Sequence, residues 1–130
     1  MKIIILDDSL TVRMIIESFL ENLGVTSDEL FSFENGYEAL DHIKQYGADM
    51  VFSDINMPYM NGYEFAEILF KMHDSLKSVF FAISGEEGHE GFVKMKDNGV
   101  RRFLKKPIKV EHFNHFVRPE ILKLRLAELS

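Results

Sequence analysis

The sequence predicts an α/β fold, with a five-stranded parallel sheet and helices on both faces. Three observations predict it. Short apolar runs alternate five times with segments of helical period. The strongest runs are continuous rather than alternating, as in strands buried on both faces. Polar residues end these runs abruptly: Asp7 and Asp8, Asp54, Ser84 and Lys106. In parallel sheets with right-handed crossovers, sites form at such carboxyl ends.

Composition bounds the alternatives. A chain of 130 residues with 46% apolar content and three prolines supports one domain over residues 1–130 with a real core. A net charge of −6 argues against direct nucleic-acid binding. With no cysteine, disulfides and thiolate metal sites are excluded, and a reducing compartment is compatible. The apolar stretches are too short to insert in a membrane. The N-terminal run meets Asp7-Asp8 at once, so it reads as a strand rather than a signal peptide.

The first strand is residues 3–6, β-branched and unbroken. Val12, Ile15, Ile16, Phe19, Leu20 and Leu23 then form one helical stripe, with Ser9 as its cap and Gly24 as its stop. Residues 29–33 alternate, which suits a strand nearer an edge. Asn35-Gly36-Tyr37-Glu38 has the spacing of a capping box and opens a helix that buries Ala39, Leu40 and Ile43 and stops near Gly47.

The third strand ends in Ser53-Asp54-Ile55-Asn56-Met57-Pro58, because proline cannot continue it. Asn61-Gly62-Tyr63-Glu64 repeats the helix-opening tetrapeptide, with Phe65, Ile68, Leu69 and Met72 expected inward. The flanks of the two tetrapeptides differ, so the repeat is shared capping chemistry and not a duplication. Residues 79–83 form a fourth strand ending in Ser84. Residues 85–98 make a poorer helix with Gly88 and Gly91 inside it, each costing roughly 1 kcal/mol against Ala. Its first turn should be malleable. The fifth strand is residues 101–104, before Lys105-Lys106-Pro107.

A last helix starts at Val110 and carries Phe113, Phe116 and Val117 inward. Pro119 should kink it or begin a second short helix. Residues 121–129 carry Leu122, Leu124, Leu126 and Leu129, read first as packing against the sheet and second as a contact surface.

The polar strand ends share one edge, and their chemistry is coherent. Three carboxylates in a low-dielectric pocket repel one another and need a positive partner. Carboxylate and carbonyl oxygens with no His or Cys beside them suit Mg²⁺ rather than Zn²⁺. Lys106 adds a point charge and Ser84 a hydroxyl. A phosphoryl group on Asp54 would then have its oxygens met by metal, ammonium and hydroxyl, the positioning and charge stabilisation that phosphoryl transfer requires. Each residue alone has an ordinary structural role, and their joint placement on four strand ends carries the reading. His112 and His115, three apart on one helix, lack a visible third ligand and read as a solvated face.

With these residues in place, the sequence resembles the receiver domain of bacterial two-component response regulators, the CheY-like fold. The resemblance spans residues 2–117 and rests on Asp7-Asp8, Asp54 within its Ser-Asp-Ile-Asn-Met-Pro motif, Gly62, Ser84 and Lys106-Pro107. It implies a sheet order of 2-1-3-4-5, the common flavodoxin-like topology. It implies that Asp54 takes phosphate from a phosphohistidine of a sensor histidine kinase. Asp8, Asp54 and the Asn56 carbonyl would hold Mg²⁺ directly, and Asp7 through water. Lys106 would bridge to the phosphoryl group, and Lys106-Pro107 would be cis.

Ser84 and Phe103 are the implied switch pair, and Asn56 and Glu86 the positions that tune phosphate lifetime. Asn56, Glu86, Thr11 and Arg13 look like the chemotaxis protein, so a short-lived phosphoryl state is expected. The fourth helix, fifth strand and fifth helix would form the surface for a downstream protein target. Phe103 replaces the commoner Tyr, and Arg101-Arg102 departs from the acidic dimer face of OmpR-type receivers, so dimerisation on phosphorylation stays open. The expected location is cytoplasmic and the expected output chemotaxis or motility, with a phosphorelay intermediate or a fragment of a larger regulator as alternatives. An enzyme is not expected beyond self-phosphorylation and autodephosphorylation. A Mg²⁺-dependent aspartyl phosphatase is the competing class, but such enzymes place an acid two residues past the nucleophile, and here Asn56 stands there.

Overall fold

Strand one is apolar at every position, and the fold covers it on both sides: β1 (Ile3–Leu6) is wholly buried. The computed structural model describes residues 1–85 and 89–130. A helix, α1 (Leu10–Asn22), follows β1 and is capped by Ser9, whose side chain accepts from the Val12 N–H. After a 3₁₀ turn at Ser27–Glu29 come β2 (Leu30–Phe33), α2 (Gly36–Tyr46) and β3 (Met50–Asp54). Next are α3 (Gly62–Met72), a 3₁₀ segment over Asp74–Val79, and β4 (Phe80–Ser84). The chain ends with α4 (His89–Asp97), β5 (Arg102–Lys105) and α5 (Val110–Glu128).

All strand pairs are parallel, in the order β2-β1-β3-β4-β5. The alternating strand β2 lies at an edge and is only half-buried, as its pattern predicts. Period-two alternation splits the core. Ile4, Leu6, Val51, Phe80 and Ala82 face α2, α3 and α4. Ile3, Ile5, Phe52, Phe81 and Ile83 face α1 and α5. On that second face Phe52 stacks with Phe81 at 5.0 Å and with Phe113 at 5.6 Å between ring centroids. Removing a buried ring of this kind costs about 3–5 kcal/mol.

Several inward expectations are corrected. Ile15, Ile68, Met72 and Phe116 are exposed, and Ala66 and Phe70 take the places expected for Ile68 and Met72. Each misplaced residue lies at the margin of its helix stripe, where one residue of rotation turns a side chain outward. The 3₁₀ segment over Asp74–Val79, between the predicted helix and strand, buries Leu76.

Pro119 neither starts a second helix nor ends α5, which runs through it. The N–H it lacks would have bonded the carbonyl of His115, an exposed residue, so water can replace that bond. Val117, Glu120 and Ile121 are buried on either side and hold the helix to the sheet. The leucine-rich end divides: Leu124 packs against the core, while Leu122, Leu126 and Leu129 face solvent. Among the described residues no helix is long and apolar enough to cross a membrane.

Candidate functional site

Register brings the polar strand ends together. Leu6 pairs with Ser53, Asp54 with Ile83, and Ser84 with Lys105. Asp7, Asp54, Ser84 and Lys106 therefore leave the sheet at one edge. Carboxylate oxygens of Asp7, Asp8 and Asp54 lie within 4.8 Å of one another. Asp7 and Asp54 are buried and Asp8 is exposed, so the cluster opens to solvent through Asp8.

Lys106 supplies the positive charge that three carboxylates require. Its Nζ is 3.2 Å from Asp7 Oδ2 and 3.3 Å from Asp54 Oδ2. The Lys106 N–H donates to the Ser84 carbonyl at 2.8 Å, which fixes the lysine where β5 ends. Lys106-Pro107 is cis, as the resemblance implied. Burial disfavours the Lys106 ammonium, but Asp54 and Asp7 outweigh it and its pKa lies above the ordinary value.

The carboxylates are electrostatically strained in the opposite sense. Burial, then the Asp7 charge, pushes the Asp54 carboxyl up to about 6, against Lys106 and the Asn56 backbone N–H. Burial likewise raises Asp7, against the Ser9 N–H and Lys106. Ser9 thus does two things: its side chain caps α1, and its N–H donates to Asp7 Oδ1 at 2.8 Å. Arg13 was not read as a site residue, yet its Nη1 donates to the Asp7 carbonyl at 2.6 Å and pins the β1–α1 turn. The resemblance singles out Arg13, and its position one helical turn past Asp8-Ser9 puts it within reach of the turn.

A divalent cation fits the donor set. Among the described residues, the buried Asp7 Oδ2 finds no well-directed hydrogen bond, although Lys106 Nζ is near enough for charge attraction. Its neighbours Asp8 and Asp54 offer only hard oxygens, the set that suits Mg²⁺. His112 and His115 belong to no metal-competent cluster among the described residues.

The remaining residues have distinct places. Asn56 is exposed just past Asp54. Ser84 is half-buried at the end of β4. Ala82 pairs with Phe103 and Ser84 with Lys105, so Ser84 and Phe103 lie on one sheet face. Phe103 is half-buried, with its ring 4.5 Å from that of Phe92 on α4. Glu86 and the expected first turn of the fourth helix lie outside the described residues. Gly62 is needed for more than capping, because a Cβ there would collide with the Asp54 carbonyl. The repeated tetrapeptide thus places a glycine where α3 starts directly against β3.

This fold and edge define a signalling receiver, and the chain belongs to the response regulator receiver domain family of two-component systems, whose model matches residues 3–118. Among its relatives is the chemotaxis protein CheY homolog of Campylobacter jejuni, 28% identical over 130 residues, covering 99% of this chain and 92% of that protein. The transcriptional regulatory protein FlgR of Helicobacter pylori is 34% identical over 112 residues, covering 85% of this chain but 27% of FlgR. The crystal structure of the chemotaxis response regulator CheY4 of Vibrio cholerae superimposes with a TM-score of 0.77 at 27% identity, covering 92% of this chain and 97% of that one.

Proposed function

We propose that this receiver is a phosphorylation switch that takes a phosphoryl group from a sensor histidine kinase onto Asp54. One observation carries the reading: a single ammonium, Lys106 Nζ, sits 3.2 and 3.3 Å from two buried carboxylates at the open end of a parallel sheet. A carboxylate oxygen of Asp54 attacks phosphorus, and the bond from phosphorus to the donor imidazole nitrogen breaks. The imidazole leaves with its electron pair and takes a proton. Lys106 binds the incoming phosphoryl oxygens, and Asp7 and Asp8 would hold a divalent cation as the other positive partner of the site.

Mg²⁺, when bound, would screen the negative charge of acceptor and donor. Its ligands would be Asp8, Asp54 and the Asn56 carbonyl, with Asp7 through water. Ser84 then turns to the phosphoryl group and Phe103 moves on the same face, changing the surface of α4, β5 and α5. That surface includes a groove of about 460 Å³ bordered by Arg101, Arg102, Phe103 and Phe116, suited to a protein target. Asn56 offers no second acid, so the site supports a switch rather than a turnover phosphatase.

Chemotaxis or motility is the output we favour, because the CheY homolog matches this chain nearly end to end. A receiver within a larger regulator is the second reading, supported by FlgR at 34% identity. The test is incubation with phosphoramidate, read by intact mass. One added phosphoryl group with Mg²⁺, and none with a chelator, is expected. Loss of that group within minutes would fit the short lifetime; persistence over hours counts against it.

A further inference from the structure

Gly91 is buried in α4, at the third of its described positions. A Cβ there would overlap Ile55 Cγ2 and come within 3.6 Å of Asn56 Oδ1. After proline, glycine is the residue least suited to a helix interior. This helix therefore gives up local stability to come closer to one particular neighbour.

That neighbour is held firmly in place. Ile55 is 3% exposed, and its β-branch stiffens χ1. Its N–H donates to the Ile83 carbonyl at 3.2 Å, and its carbonyl accepts from the Gly62 N–H at 2.8 Å. Ile55 directly follows Asp54, and Asn56 follows Ile55. So α4 rests on the same short segment that presents the acceptor carboxylate, while β4 and α3 hold that segment by its backbone.

We propose that Gly91 is a positioning residue for phosphoryl acceptance: it seats α4 on Ile55 and so fixes the segment 54–56 that presents Asp54. The proposal rests on Asp54 being the acceptor. A methyl group at position 91 must lift α4 or push Ile55 by a distance on the order of an ångström, a misplacement that can slow chemistry by about 10²-fold.

The experiment compares the wild-type chain with Gly91→Ala, Ile55→Ala, the double variant, and Val93→Ala as a control at an exposed site of the same helix. The readout is the initial rate of Asp54 labelling by acetyl phosphate with Mg²⁺, taken well below each thermal midpoint. Gly91→Ala should slow labelling about ten- to a hundredfold. The double variant, which removes the methyl that collides, should label within about threefold of Ile55→Ala alone. Val93→Ala should match wild type.

Wild-type labelling by Gly91→Ala overturns the proposal, and so does a double variant that stays slow. Where Gly91→Ala fails to fold, the double variant decides: recovered fold and labelling support the proposal, and anything less overturns it. A wild-type chain that takes no label removes the acceptor reading and this proposal with it. A labelled wild type beside an unaffected Gly91→Ala removes this proposal alone.

Discussion

Lys106 Nζ reaches across the end of β4 to within 3.3 Å of Asp54 Oδ2, although the two residues come from strands that do not touch. The same nitrogen is 3.2 Å from Asp7 Oδ2, so one ammonium serves two buried carboxylates.

Replacing that ammonium should separate two effects. In Lys106→Gln the cluster loses its fixed positive charge, so a divalent cation faces less repulsion. Mg²⁺ affinity should rise by about tenfold, near 1.4 kcal/mol. Phosphoryl transfer should nevertheless slow, because the ammonium that meets the incoming oxygens is gone. Titration with Mg²⁺ and labelling rates on the same variant check both; weaker Mg²⁺ binding would contradict the assignment.

The acidic cluster should also give a metal-dependent pH profile. Asp54 has a folded pKa of about 6 against an ordinary value of 3.8, and Asp7 shifts in the same direction. Binding a proton therefore favours the folded chain. That contribution is complete below the ordinary value and disappears as pH rises through the folded one. Without divalent cation, the thermal midpoint should rise from about pH 7 to about pH 5 relative to Asp54→Asn. Saturating Mg²⁺ binds the ionised form and should flatten the difference, with affinity falling about tenfold per pH unit below the folded pKa. Melting curves at several pH values, with Mg²⁺ and with a chelator, test this.

At the far end of the sheet, Arg125 on α5 holds Glu29 with two hydrogen bonds of 2.6 and 2.7 Å and also donates to the Gly24 carbonyl at 3.0 Å. The Arg125 pairing holds the Glu29 carboxyl well below its ordinary value. This contribution is present above the ordinary carboxylate pKa and is lost in acid. Arg125→Ala should lower stability at neutral pH by about 1–2 kcal/mol, less at low pH. Denaturant titration at both pH values measures it, and labelling of Asp54 should not change.

Pro119 is an exposed proline inside a continuous helix. Pro119→Ala restores a missing N–H and should stabilise the chain by about 1–3 kcal/mol. The thermal midpoint should rise by roughly 3–10 °C. An unchanged or lower midpoint would mean that the proline shapes how α5 lies on the sheet.

The sequence made the sheet legible because its runs are unmistakable: residues 3–6 and 80–83 offer no polar position, and each ends in a polar residue at the sheet edge. Asp7, Asp8, Asp54 and Lys106 were readable for the same reason, since a polar residue that stops a buried strand has only the sheet edge to occupy. What was hidden depended on packing. Gly91 read as a weak helix position, and only the closeness of Ile55 explains it. Arg13 is legible only as a likeness to the chemotaxis protein, and its bond to the Asp7 carbonyl depends on how α1 folds back on the β1–α1 turn. Pro119 has strong local propensity against a helix, and burial of Val117 and Ile121 overrode it.

The central claim is that Asp54 is the phosphoryl acceptor. Its most direct test is incubation of the wild-type chain and of Asp54→Asn with labelled acetyl phosphate and Mg²⁺, followed by measurement of protein-bound label. The account predicts stoichiometric, Mg²⁺-dependent label on the wild type and none above background on Asp54→Asn. Equal label on the two proteins would contradict it.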